Sequence, residues 1–250
     1  MPKGAAMAER SNVIDATQQT AARVAGFAYL ISLAFILAAN FGLRSGLLVS
    51  GDAAETVRRI SEALPQFRLS IVFDVVYSVG TVVLLTALYV IFRPMSRYLA
   101  SLATLLKLVY AMTAMLMVLS LQSIAHFLAN PVHGHALGAD HLQMLVNVNM
   151  SATMDEYYVG LAFWALSATV IGWLWFKSGY VPKALALFGL VSAAWCTLCT
   201  FAYLGNPAFS HFVNLWWFDS PLAIFDITLS IWLLFKGLRG VGLADKTRAV

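Results

Sequence analysis

Charged residues are scarce in this chain. Only 11% of its 250 residues are Asp, Glu, Lys or Arg, whereas a soluble domain carries roughly 25%. Hydrophobic residues make up 60% of the sequence, and the mean hydropathy is +0.78. So few polar side chains cannot cover the surface of a soluble globule, and lipid must therefore be the solvent for most of the chain. The length leaves little room for a separate soluble domain.

Several chemical signatures are also missing. The two cysteines, Cys196 and Cys199, both lie inside an apolar segment, which excludes a disulfide framework and disfavours the thiolates that redox chemistry needs. The chain has no P-loop, no dinucleotide fingerprint and no serine nucleophile elbow, and we expect no cofactor. The net charge is +4, but the basic residues stand at segment ends, where they act as orientation signals, so nucleic acid is excluded as a partner.

Six apolar segments are long enough to cross about 30 Å of hydrocarbon at a rise of about 1.5 Å per residue. Each must be helical, because lipid offers no partner for unpaired backbone groups. The sequence therefore predicts an all-α fold, a polytopic bundle of six transmembrane helices. A polar N-terminal tail (1–21) precedes the transmembrane domain (22–238), and a cytoplasmic tail (239–250) follows it. The predicted spans are approximately 22–43, 69–92, 99–128, 157–176, 183–204 and 212–235.

The basic residues predict how the bundle is oriented. Eleven lie at one set of segment ends and four at the other, while the last of the 16, Lys107, lies inside the third span. The positive-inside rule then places both termini in the cytoplasm. The eleven are Lys3, Arg10, Arg23, Arg93, Arg97, Lys177, Lys183, Lys236, Arg239, Lys246 and Arg248, and the four are Arg44, Arg58, Arg59 and Arg68.

The first outer loop, Arg44–Arg68, contains a helix signal. Asp52 and Glu55 have the spacing of a capping-box variant, and Pro65 is predicted to end the helix. Its apolar residues fall on one face and its charged residues on the other. Two interpretations fit this pattern: a helix lying on the outer membrane surface, or a solvated helix on top of the bundle.

The second outer loop is predicted at Ala129–Met154. It opens with Asn130-Pro131 and contains Gly134 and Gly138, which are turn signals. A short helix with one apolar face is expected inside it, over 141–150.

Several short stretches carry a family resemblance through their order and spacing. They are Ala22–Leu30, Gly51–Ala54 with Phe67–Leu69, Leu88-Tyr89 with Arg93-Pro94, Tyr158 with Gly160–Phe163, and Lys177–Leu185. Together they resemble a family of bacterial multi-pass membrane proteins that is catalogued as a domain of unknown function, over roughly residues 22–236. The resemblance implies about six helices and a bacterial inner membrane. It implies no activity and no catalytic residue.

Two charges are predicted to lie deep inside the bilayer. At the helical rise, Lys107 lies about 12 Å and Asp226 about 15 Å from the inner ends of their spans. Because the depths match, we expect the third and sixth spans to touch and these two residues to pair. Burying a charge in a span costs roughly 2.5–3.5 kcal/mol or more, so we expect the pair to have a structural or functional role that offsets this cost. It either lines an ion path or only fixes helix register, unless Lys107 extends to the inner headgroups instead.

Two further carboxylates are candidates for a path. Asp219 is seven residues before Asp226, on the same helix face, and Asp74 lies at a similar depth in the second span. Arg68 is the candidate to neutralise either Asp74 or Asp219. A ladder from Asp219 through Asp226 to Lys107 would carry protons or cations. In the alternative, Asp219 and Asp74 lie at the wet interface and only bind water or Arg68.

All five histidines are expected on the outer side. They could bind Zn²⁺ or Cu²⁺, although their spacing fits no metal signature and loop histidines are usually solvated. With Asp155 and Glu156 they also define a candidate enzyme site at the outer surface. The five are His126, His133, His135, His141 and His211.

Three functions therefore remain open. The bundle binds or translocates a small or lipid-like molecule, serves as a structural or partner subunit of a membrane complex, or acts as an intramembrane enzyme at its outer surface. Whether it is an enzyme at all is uncertain, and the first interpretation is preferred. Membrane lipids are expected partners, and the sequence leaves the oligomeric state open.

Overall fold

The computed structural model describes residues 14–49, 51–129 and 131–240, and in this part of the chain the regular elements are helices without a strand. Six helices are long and apolar enough to cross a membrane, so the predicted all-α fold with six spans is confirmed. The elements are α1 (Ala16–Leu37, continued by a π-helix over Ala38–Leu43), α2 (Ala53–Glu62), α3 (Leu64–Phe92), α4 (Arg97–Ala129), α5 (Pro131–Ser178), α6 (Lys183–Gly205), a 3-10 helix (Pro207–His211) and α7 (Trp216–Phe235).

The first helix begins earlier than the sequence suggests. It starts at Ala16, inside the stretch predicted as a polar tail. Asp15 caps it, because the Asp15 carboxylate accepts a hydrogen bond from the backbone N–H of Gln18 at 2.6 Å. Polar residues therefore occupy the first turn of α1, where a hydropathy criterion alone does not find a helix.

The prediction of an outer loop at Ala129–Met154 is wrong. The helix α5 runs from Pro131 to Ser178 and is interrupted only at Gly138, where φ is 73° and ψ is 159°. Proline suits the first turn of a helix, and glycine adopts a positive φ without strain. The residues that signal a loop thus begin and bend a helix, and a span long enough to cross the membrane starts at Asp140.

The helix signal after the first span is confirmed. Asp52 caps α2 by accepting a hydrogen bond from the Glu55 backbone N–H at 2.8 Å. Hydrogen bonds from Arg58 and then Arg59 lower the pKa of Glu55 to about 2. The opposite face is apolar, and Ile60 is fully buried against Phe67 and other core residues. Protein therefore covers the apolar face of α2, as expected for a helix packed on the bundle.

The described residues form two compact units. The first unit comprises 14–30, 83–107 and 162–240, and the second comprises 31–82 and 108–161. In the first unit, Gln18 donates a hydrogen bond from its side-chain amide to the carbonyl of Ile91 at 2.9 Å. The rings of Phe92 and Trp175 pack edge to face, with 4.6 Å between their centroids. In the second unit, a hydrophobic cluster gathers around Phe67, Leu121 and Ile124.

Three glycines allow close helix approach, as their positions in the spans suggest. A Cβ at Gly172 would lie 3.0 Å from the Cα of Leu190, and one at Gly160 would meet the Thr113 hydroxyl. A Cβ at Gly189 in α6 would meet the ring of Phe225 in α7. Without a strong hydrophobic force between helices in lipid, such contacts hold the bundle together by van der Waals packing.

We expect Gly189→Ala to lower the stability of the folded protein by about 1–3 kcal/mol, because the added methyl group displaces the Phe225 ring from a packed contact. The measurement is the midpoint of thermal or denaturant unfolding in detergent. Gly205→Ala is the matched control, since it lies at the end of the same helix with nothing within 4 Å of the added Cβ. Equal midpoints for the two variants would contradict the close packing of α6 on α7.

Candidate functional site

A buried ammonium group belongs to the first unit. Lys107 of α4 is only 2% exposed, and its Nζ donates a hydrogen bond to the Tyr29 hydroxyl at 3.3 Å. The same nitrogen lies 5.2 Å from the centroid of the Tyr29 ring and 5.7 Å from that of Trp164. These distances are within the range of cation–π attraction.

Asp226 of α7 completes this group. Its carboxylate accepts a hydrogen bond from the Tyr29 hydroxyl and interacts electrostatically with Lys107. A phenol can donate one hydrogen bond while it accepts another, so Tyr29 links the ammonium group to the carboxylate. We call Lys107, Tyr29, Asp226 and Trp164 the ammonium cage.

Small residues bring the helices of the cage together. On α1, a Cβ at Gly26 would lie 2.7 Å from the backbone oxygen of Ser230 on α7. Gly26 is one turn from Tyr29 and Ser230 one turn from Asp226, which places both side chains of the cage near this close contact. On the other side, Ser167 of α5 donates a hydrogen bond to the carbonyl of Ala103 on α4 at 2.7 Å.

Two members of the cage are predicted from their depth in the spans, and the other two are not. Lys107 and Asp226 do lie in one unit and interact, but the hydrogen-bonded connection between them runs through Tyr29. The sequence does not single out Tyr29 and Trp164, because aromatic residues in spans usually pack in the core or against lipid. The closely placed Gly26 is the one sequence signal that could have drawn attention to Tyr29.

A small pocket lies beside the Lys107 side chain. Its volume of about 10 Å³ is at the threshold for holding one water molecule. Apolar side chains from α3, α4 and α5 form most of its wall, and its polar members are Lys107, Thr104 and Tyr89. In this conformation the pocket therefore fits a solute of about the size of water.

Two further ionisable residues, Asp219 of α7 and Cys196 of α6, belong to the surroundings of Asp226. Asp219 lies in the first turn of α7, where the helix dipole favours a negative charge. Cys196 is buried and is close enough to Asp219 and Asp226 to interact electrostatically with both. The carboxylates of the predicted ladder thus share a unit with the ammonium cage.

A second buried charge pair lies in the second unit. Asp74 of α3 binds Arg44, with 2.8 Å between Nη2 and Oδ1 and 2.8 Å between Nη1 and Oδ2. Both side chains are buried. The sequence offers Arg68 as the residue that neutralises either Asp74 or Asp219. The Arg68 side chain is exposed, however, and Arg44 occupies the Asp74 carboxylate. The π-helix before Arg44 adds a residue to the turn and so changes where this side chain points.

The histidines are only partly described. His133 and His135 lie where side chains are outside the described residues. His126, His141 and His211 have exposed side chains, as has Asp155, whereas Glu156 accepts a hydrogen bond from Ser120 at 2.9 Å. Among the side chains that are described, no group of three or more His, Cys, Asp or Glu could hold a metal ion.

The comparisons with known proteins give a family. The sequence profile of a domain of unknown function, DUF4386, matches residues 24–237. The chain belongs to the DUF4386 family. With its six long apolar helices, this DUF4386 member is a multi-pass integral membrane protein. Searches of curated proteins and of solved structures found no match.

In this DUF4386 protein, we expect Arg44→Met or Asp74→Leu alone to lower stability by about 3–5 kcal/mol, because each leaves an unpaired buried charge. The double variant should lose less than the sum of the single variants. Unfolding midpoints in detergent measure both effects. Arg58→Gln, at an exposed pair, serves as a control without measurable change. Additive losses would contradict a coupled pair.

Proposed function

We propose that this DUF4386 protein binds and translocates a small polar solute through its helix bundle, with the ammonium cage as the charged binding site. The observation that carries the proposal is a lysine 2% exposed within a span, held by a phenol and a carboxylate next to a pocket. Intramembrane ionisable groups are costly and typically mark a solute or ion path. A pocket of about 10 Å³ favours a small solute over a lipid-like one.

The orientation of the chain determines which side of the membrane each end of the proposed path faces. The basic residues support an inner-membrane protein with both termini in the cytoplasm. In that orientation Lys107 and Asp226 are reached from the cytoplasm through the ends of α4 and α7. Asp219 then extends the path toward the outer side, through the first turn of α7.

Water access to the pocket tests this function. In a background with Cys196→Ser and Cys199→Ser, Thr104→Cys places a thiol in the pocket wall, one turn from Lys107. We expect a charged, water-soluble thiol reagent to label it in membrane vesicles, because translocation requires the pocket to open to water during part of the transport cycle. Leu105→Cys is the matched control, because this neighbouring side chain is 60% exposed outside the packed bundle, where lipid lies. Labelling of the Thr104→Cys variant should be roughly tenfold faster, since thiolates form in water and not in lipid.

Equally slow labelling at both positions from either side of the membrane would contradict translocation. That result would favour a role as a structural subunit, which predicts a different outcome for variants of the charged pair. Lys107→Met and Asp226→Leu would each destabilise the protein, while the double variant would fold and keep the protein's cellular role. Under translocation, the double variant folds and loses solute binding.

A further inference from the structure

The polar and aromatic groups that contact the Lys107 ammonium group are electron-rich. They form a shell of the hydroxyl oxygen and ring face of Tyr29, the ring face of Trp164, and the Asp226 carboxylate acting through Tyr29. Aromatic faces carry negative potential and attract cations. The same shell repels anions, so the site is selective for positive charge even though a lysine occupies it.

These groups are also the ones that recognise a free ammonium ion. Stacked aromatic faces with a nearby carboxylate bind alkylammonium groups, and a phenol oxygen accepts one of their N–H bonds. The adjoining pocket of about 10 Å³ holds a particle of the size of water, which is also the size of an ammonium ion. Methylammonium is larger by one methyl group, so its binding requires the apolar wall, with Leu85, Leu88 and Leu174, to move outward.

We propose that the ammonium cage takes a small ammonium ion, such as ammonium or methylammonium, in exchange for the charge on Lys107. This inference rests on the proposed function and names the class of solute. The cage provides one carboxylate, so two cations there would leave an uncompensated charge inside the membrane. When the external ion binds, an Nζ–H bond of Lys107 breaks, the electron pair stays on nitrogen and the proton goes to bulk water. The neutral amine then leaves Asp226 to the incoming ion.

Other titratable groups near the cage are compatible with this exchange. Tyr29 faces Nζ directly, and Tyr89 lines the pocket. Cys196 and Asp219 belong to the electrostatic surroundings of Asp226, through the interactions of Cys196 with both carboxylates. Among the groups named here, Lys107 is the cationic one, and its proton is therefore the one that repulsion from an incoming cation displaces.

Proton release tests the exchange directly. Methylammonium chloride is added to the purified protein in detergent with a pH indicator and little buffer, and an addition to detergent alone is subtracted. We expect about one proton per chain at saturation, by linkage between ion binding and the charge of Lys107. The melting temperature of the wild-type protein should rise with methylammonium concentration, because the ion binds the folded state.

Three variants locate the effect. Lys107→Met should release at least about tenfold fewer protons and still be stabilised by methylammonium, because the shell persists without the titrating amine. Asp226→Asn should show neither effect. Lys183→Met, at an exposed lysine at the start of α6, should behave as the wild type.

The wild-type measurements decide the proposal even if a variant does not fold. No proton release and no thermal shift up to about 100 mM methylammonium, well above a weak millimolar affinity, would overturn it. Equal release with sodium chloride would overturn the ammonium class. If the Thr104→Cys variant is labelled but methylammonium releases no proton from the wild type, the solute is of another class and translocation stands. If the Thr104→Cys variant is not labelled, translocation fails whatever the ion does.

Discussion

A lysine inside a membrane span needs a polar shell, and much of the first unit is arranged to provide one. In lipid the Lys107 charge would cost several kcal/mol without compensation. The compensation comes from three other helices: Tyr29 of α1, Trp164 of α5 and Asp226 of α7. These side chains reach the lysine only if the four helices keep their register. The electrostatic requirement of one side chain thus restricts how α1, α4, α5 and α7 pack.

The packing that meets this requirement depends on small residues. Gly26 lets α1 approach the backbone of α7, and Gly189 lets α6 approach Phe225, the residue before Asp226. Van der Waals contact is the main attraction between helices in lipid, and small residues increase it by shortening the distance between backbones. The residues that hold the bundle together are therefore next to those that carry its charge.

The sequence predicts the fold better than the site. Long apolar segments identify the six spans, because a lipid environment permits little besides helices. Helical rise also selects Lys107 and Asp226, since depth depends on local geometry alone. Long-range packing determines the contacts of the residues that the sequence does not single out, which are Tyr29, Trp164 and Arg44. Arg44 contacts Asp74 because a π-helix precedes it, and no local sequence pattern indicates that π-helix. The sequence instead favours Arg68, which is closer to Asp74 along the chain. At α5, Pro131 and Gly138 predict a loop, although the structure has a helix there with a kink at Gly138.

The two buried charge pairs differ in a way that bears on their roles. Arg44 holds Asp74 directly, with one hydrogen bond of 2.8 Å and a second charge contact of 2.8 Å. Lys107 and Asp226 are instead connected through a phenol, and a pocket lies beside the lysine. A direct buried pair is suited to fixing helix register. A bridged pair beside a water-sized space is better suited to exchange one partner for a solute, and this contrast is the reason for proposing the site at Lys107 rather than at Arg44.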